Sequence, residues 1–302
     1  MNSMTAPPVH SMRLLALTAT LALMVGSSAF VSTTTTAAAS AGAPQWLEAN
    51  EVSLRYQLSG TGGKTLVLLH EMQMSMESWD ALMPSLQPGH RILRYDLRGF
   101  GLSEKIRGTL TIEDEVEDLR ALLDALQIEA PVTLIGGAVG GAVALKFAAT
   151  YPQRVLAVAV TSPAAYMNAQ PERLTNIDAV ANTAIRDGID KSMDAVYPAA
   201  VRTPEGVAKF RALQLATDPG SLAATTRMIY STAFKDVLPR VQCPTLIVAT
   251  ALFPRPVASF KELADALPQG QFEVLQTGHF APLESPAMVA PVLLKFLRSV
   301  KG

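Results

Sequence analysis

One cysteine in 302 residues, Cys243, rules out an intrachain disulfide. It stands in VQCPTLIV, just before an apolar strand, and is expected to act as a small buried hydrophobe. Charge is also scarce: 17% of residues are charged, and 25 Lys and Arg against 26 Asp and Glu leave a formal net charge of −1. That balance offers no basic patch for nucleic acid or an anionic membrane. The glycine-rich stretch 136–141 lacks both GxGxxG and GxxxxGK[ST] spacing, which argues against a phosphate or dinucleotide loop. No Cys/His cluster is spaced for a metal, no cofactor is expected, and no internal repeat is visible.

What is present is enough apolar material, 49% of the chain, to bury one sizeable core. Near the start, Arg13 precedes the apolar run Leu14 to Val25 and then Ser27, Ser28 and Ala29, the layout of a Sec-type signal peptide spanning 1–29. The run is short for a membrane span of about 20 residues, so cleavage after Ala29 is expected and an uncleaved anchor is the other reading. There is no cysteine at the cleavage site for lipidation, and no second arginine beside Arg13 for twin-arginine export. The mature protein is therefore expected to be exported, periplasmic or secreted, without membrane attachment. It would carry 24 basic and 26 acidic residues, a formal charge of −2. Residues 30–44, including the Ser/Thr/Ala tract Ser32 to Gly42, read as a flexible linker to a domain at 45–302.

Within the domain, short apolar runs alternate with helical patterns. The runs are Thr65 to Leu69, Arg91 to Tyr95, Val132 to Ile135, Leu156 to Val160, Thr245 to Ala249 and Phe272 to Leu275. The alternation predicts an α/β fold, a mostly parallel sheet with helices on both faces. Thr111 and Asp114 have capping-box spacing ahead of a helix that keeps Val116, Leu119, Leu122, Leu123 and Leu126 on one face. Ser285 and Pro286 start a C-terminal helix. Residues about 163–239 interrupt the alternation with helical patterns only, and are expected to form an inserted cap over the strand ends or an ordinary helical decoration.

The stretch Leu134 to Gly141, LIGGAVGG, supplies small residues at a sharp strand-to-helix turn, so that residue 138 projects from strained backbone. With LVLLHE and Trp79 downstream, RYDLRGFGLS, LIGGAVGGAVALKFAATYP, RVQCPTLIV and TGHFAPLESP in that order, the chain resembles the α/β-hydrolase superfamily. RILRYDLRGFG and the segment from Glu172 to Asp236 resemble the 3-oxoadipate enol-lactonase type, whose members hydrolyse small lactones or esters.

The resemblance carries over unevenly. The family's nucleophilic serine falls on Ala138, and the histidine often before it falls on Gly137. The acid expected after the strand Thr245 to Ala249 would lie within Ala251 to Arg255, which has no Asp or Glu. The other family position, Thr161 to Pro163, has none either. The resemblance keeps the histidine, as His279 in TGHF. It implies an oxyanion hole from the backbone N–H groups of Met72 and Val139. Glu71 replaces the glycine of the family's HG motif; it either points to solvent or turns inward to orient His279 or act as base. His70, Asp96 and Arg98 are expected to be structural. Met72, Met74 and Met76 with His70 could hold Cu(I), but apolar lining is the simpler reading.

Two functions follow. In the first, the protein binds a small apolar ester, lactone or related carbonyl compound under the cap, in a pocket lined by Met72, Trp79, Ala138, Val139, Phe253 and His279, without acyl-enzyme chemistry. In the second, it is a repurposed hydrolase or lyase using His279, with Glu71, as acid/base and the backbone oxyanion hole. Nothing in the sequence sets the oligomeric state.

Overall fold

The computed structural model describes residues 42–174, 186–189 and 204–301. The expected signal peptide and most of the linker lie outside the described residues, as does part of the cap. The described residues belong to one compact unit, 38–302.

The sheet is built from β1 (Gln45–Ala49), β2 (Val52–Ser59), β3 (Lys64–Leu69), β4 (His90–Tyr95), β5 (Val132–Gly137), β6 (Val155–Thr161), β7 (Thr245–Thr250) and β8 (Gly270–Leu275). Its order is β1-β2-β4-β3-β5-β6-β7-β8. β1–β2 and β2–β4 are antiparallel pairs at one side of the sheet, and all other neighbours are parallel. The helices are α1 (Met83–Leu86), α2 (Ile112–Ala125), α3 (Ala138–Thr150), α4 (Pro204–Gln214), α5 (Pro219–Ser231), α6 (Val257–Asp265), α7 (Ala281–Glu284) and α8 (Pro286–Ser299).

The inner strands are apolar throughout because both faces are covered. Val67, Leu69, Leu134, Val158, Val160 and Ile247 face a core that includes Val116, Leu119 and Leu122 of α2 and Val143 and Phe147 of α3. The alternate residues Leu66, Leu68, Ile135, Ala159, Leu246 and Val248 face a second core with Leu293 and Phe296 of α8. α2 begins where the sequence predicts: the Asp114 amide donates to Thr111 Oγ1 at 3.2 Å and the Thr111 amide donates to Asp114 Oδ2 at 2.8 Å.

Between β6 and β7 the chain leaves the sheet. The described residues there contain a 3-10 turn, Pro171–Leu174, then α4 and α5, and no strand. Phe210 of α4 meets Phe280 with ring centroids 4.8 Å apart, so this segment packs on the turn that follows β8.

Candidate functional site

Loops leaving the C-terminal ends of β3, β5, β6, β7 and β8 converge on a cavity of about 370 Å³, and α5 adds Thr226, Ile229 and Tyr230 to its wall. Parallel strands end together and their loops fan apart there, which is where open α/β sheets take ligands. Met72, Ala138, Val139, Phe253 and His279 all line the cavity.

Ala138 opens α3 directly from β5 with φ at +41°, in the left-handed region. The turn is possible because Gly140 lets helix and strand touch: a Cβ there would lie 2.3 Å from the Leu69 carbonyl oxygen. For alanine the left-handed conformation costs about 1–2 kcal/mol, and a methyl group gains nothing chemical from it. Ala138→Gly is therefore expected to stabilise the fold by roughly 0.5–1 kcal/mol, after the entropy that glycine loses. Urea denaturation checks this, and an unchanged or lower midpoint removes the strain argument.

Val139 sits in the first turn of α3, where an amide has no intrahelical acceptor. With Met72 beside it on the cavity wall, the backbone can present N–H groups to a developing or resident negative oxygen. His279 is buried, with its ring stacked on Phe253 at a centroid distance of 4.1 Å and a tilt of 27°. Burial, and then the positive charge of Arg255, push its pKa down to about 4. The imidazole is thus neutral at ordinary pH.

Two sequence expectations change. Trp79 is not on the cavity: its side chain is fully buried with Leu82 and Leu86 in the core on the opposite side of the sheet. The 3-10 turn Met76–Trp79 carries it down there, where its large apolar surface finds Leu66 and Leu68. Glu71 does not face solvent, being 1% exposed. Nor does it reach His279; a Cβ added to Gly137 would lie 2.3 Å from its Oε1, so the carboxylate fills the space a side chain at 137 would take. Neither oxygen accepts a hydrogen bond among the described residues. Burial pushes the pKa up to about 7, tempered by the residue's own amide and the nearby Ser78 hydroxyl. The Glu71 side chain and the missing side chain at 137 are therefore complementary in volume.

The strand order, the tight turn into α3 and the cavity at the strand ends coincide with a family assignment. Residues 64–192 match the family model described as alpha/beta hydrolase fold. The chain is an α/β-hydrolase-fold protein. It is 26% identical over 260 residues to 3-oxoadipate enol-lactonase 1 of Acinetobacter baylyi, covering 82% of this chain and 94% of that one. A second relative, the dihydrolipoyllysine-residue acetyltransferase component of the acetoin cleaving system of Pseudomonas putida, is 37% identical over 123 residues. That match takes in 40% of this chain, which spans only 33% of the relative's length. Among solved structures, a thermophilic esterase from Thermogutta terrifontis superposes with a TM-score of 0.78 at 28% identity, covering 86% of this chain and all of that one. The enol-lactonase of Burkholderia xenovorans LB400 gives 0.78 at 25% identity over 84% of this chain and 100% of its own.

In this α/β-hydrolase-fold chain the remaining polar residues of the strand ends hold the loops. His70 Nε2 accepts from the Leu97 amide at 2.9 Å while Nδ1 lies 2.7 Å from the Glu71 carbonyl, which fixes the ring as an Nδ1–H tautomer. Asp96 accepts from the Met76 and Leu102 amides, each at 2.8 Å, and pairs with Arg55 at 3.1 Å. Arg98 pairs with Asp118. Met74 packs in an apolar cluster with Phe210, Leu222, Phe280 and Leu283, and Met76 is buried.

Sequence reasoning missed six polar residues of the cavity wall: Ser162, Tyr166, Arg173, Thr226, Tyr230 and Arg255. Ser162 follows β6 with φ at +41° and its hydroxyl lies 2.5 Å from that of Thr250. The expected interval for an acid after β7 ended on Arg255, and a basic residue there was itself a signal.

Proposed function

We propose that this protein is an exported α/β-hydrolase-fold binding protein that holds a small ester, lactone or related carbonyl compound in the cavity beneath α5, without acyl-enzyme hydrolysis. The observation that carries this reading is Ala138. It occupies the strained turn between β5 and α3, lines the cavity and presents only a methyl group. In a serine hydrolase, removing the nucleophile alone costs about a millionfold in turnover. The enol-lactonase and esterase likenesses support a carbonyl compound as the ligand class. Amides near Met72 and Val139 suit a carbonyl oxygen, and Ile229, Phe253 and Phe280 suit an apolar body. Export rests on the arrangement of Arg13, the apolar run Leu14 to Val25 and Ala29.

The alternative, acid/base chemistry by His279 with Glu71, loses its second member because the Glu71 carboxylate lies against Gly137. A bulky side chain at the turn tests the binding reading. Ala138→Leu is expected to abolish the thermal stabilisation given by small lactones and aryl esters while near-ultraviolet circular dichroism stays that of the parent. Unchanged ligand stabilisation in a folded variant would sink the proposal.

A further inference from the structure

The cavity wall contains two guanidinium groups and no carboxylate: Arg173 and Arg255 are among its residues, and none of the others is Asp or Glu. Every salt bridge among the described residues involves other cations. Arg255 is held in place from behind. Its Nε donates to Ser259 Oγ at 2.9 Å, Nη1 to the Pro163 carbonyl at 2.7 Å and Nη2 to the Ala165 carbonyl at 2.7 Å. The guanidinium carbon lies 4.4 Å from the centroid of the Tyr166 ring and 4.3 Å from that of Phe260. A guanidinium has five N–H donors, so these three bonds leave one on each terminal nitrogen. Arg173, at the exposed rim, lies 5.5 Å from the centroid of Tyr230 and 5.7 Å from that of Tyr166.

A fixed, largely buried cation that forms no salt bridge among the described residues, and feels acidic charge only from Glu262, is costly unless a ligand completes it. We infer that the bound compound carries a carboxylate, which takes the two remaining N–H donors of Arg255 with Arg173 strengthening the field at the mouth. The spacing of two donors on one planar group matches the two oxygens of a carboxylate. The cavity volume and the Met72, Ile229 and Phe280 side chains leave room for an organic body rather than a bare inorganic anion. The electrostatics agree: burial lowers the pKa of Arg255, opposed by Tyr166, Tyr230 and Glu262 and assisted by the Arg173 charge, and after burial the Arg255 charge further depresses that of His279. An anion would relieve both. The cation stands in the loop after β7, where the family resemblance leads one to expect an acid, so the charge preference of the site is inverted.

This inference rests on the binding reading above, and titration calorimetry separates the two. The probes are small carboxylates such as phenylacetate and hexanoate, each beside its methyl ester, with inorganic phosphate as a third arm. Each acid is expected to bind the full-length mature chain at least about tenfold more tightly than its ester, the scale of a charge-assisted pair of hydrogen bonds. Arg173→Gln, at the surface, is expected to weaken the acids about threefold and leave the esters unchanged, as a rim charge does. Arg255→Lys keeps the charge but loses the fork, and is expected to weaken the acids more than Arg173→Gln does. Esters binding as tightly as the acids, or Arg173→Gln weakening both alike, overturns the carboxylate and leaves the binding reading intact. Phosphate binding in place of the acids overturns the carboxylate as well. If neither acids nor esters bind, both proposals fall.

Discussion

Glu71→Gln gains about 3 kcal/mol of stability relative to the parent protein between pH 4.5 and pH 7, and keeps that gain at higher pH. The reason is a carboxyl group whose folded pKa, about 7, lies above its ordinary 4.5 because burial penalises the charged form. A group raised in this way binds its proton more tightly in the folded state. Its stabilising effect is complete below pH 4.5 and is lost as pH climbs to 7, at 1.36 kcal/mol per unit. Glutamine has nearly the same shape and does not titrate, so it removes that loss. His279 works in the opposite sense: its folded value of about 4 lies below 6.5, so its contribution is complete above pH 6.5 and is lost as pH falls towards 4. In the parent the two slopes oppose each other between about pH 4.5 and 6.5. In Glu71→Gln the histidine slope is exposed, and stability rises with pH across that window. Urea denaturation at half-unit steps from pH 4 to 8 reads this directly; parallel curves for parent and variant would mean that Glu71 is not held in a desolvated site.

Ala138→Ser is expected to leave ester hydrolysis at least about 10⁴-fold below a complete serine triad, although it restores a hydroxyl at the strained turn. A serine there needs an imidazole that can take and hold its proton. His279 instead stacks on Phe253 and feels the charge of Arg255, which disfavours the imidazolium. The interval Ala251 to Arg255 offers no carboxylate to stabilise it. Aryl-ester kinetics on the single variant test this. Turnover within about tenfold of an ordinary esterase would show that His279 is a competent base where it stands.

The inner sheet was legible in the sequence because parallel strands covered on both faces are continuous apolar runs, as in Thr245 to Ala249. β1 and β2 escaped that reading: partly exposed and paired antiparallel at one side of the sheet, QWLEA and VSLRYQLS mix polar with apolar residues. The start of α2 was legible because a capping box is local chemistry over four residues. At the site, strand order alone takes Met72, Ala138, Val139 and His279 to one end of the sheet. Trp79 was misassigned because a 3-10 turn, Met76–Trp79, intervenes between Met72 and α1, and residue spacing carries no sign of which face the ring enters. The direction of Glu71 depended on a distant residue, Gly137, being without a side chain. The arginines were missed because their roles depend on loop paths: Arg255 is fixed by carbonyls 92 and 90 residues earlier in the chain.

The central claim, a cavity that binds a carbonyl compound without hydrolysing it, meets its most direct test in one experiment. Purified mature protein and His279→Ala are each incubated with a panel of small aryl esters and enol-lactones, and turnover and melting temperature are recorded on the same samples. The account predicts hydrolysis no faster than buffer in both proteins, together with a ligand-dependent rise in the melting temperature of the parent. Turnover in the parent that disappears in His279→Ala would contradict it and establish a hydrolase that works without a serine at position 138.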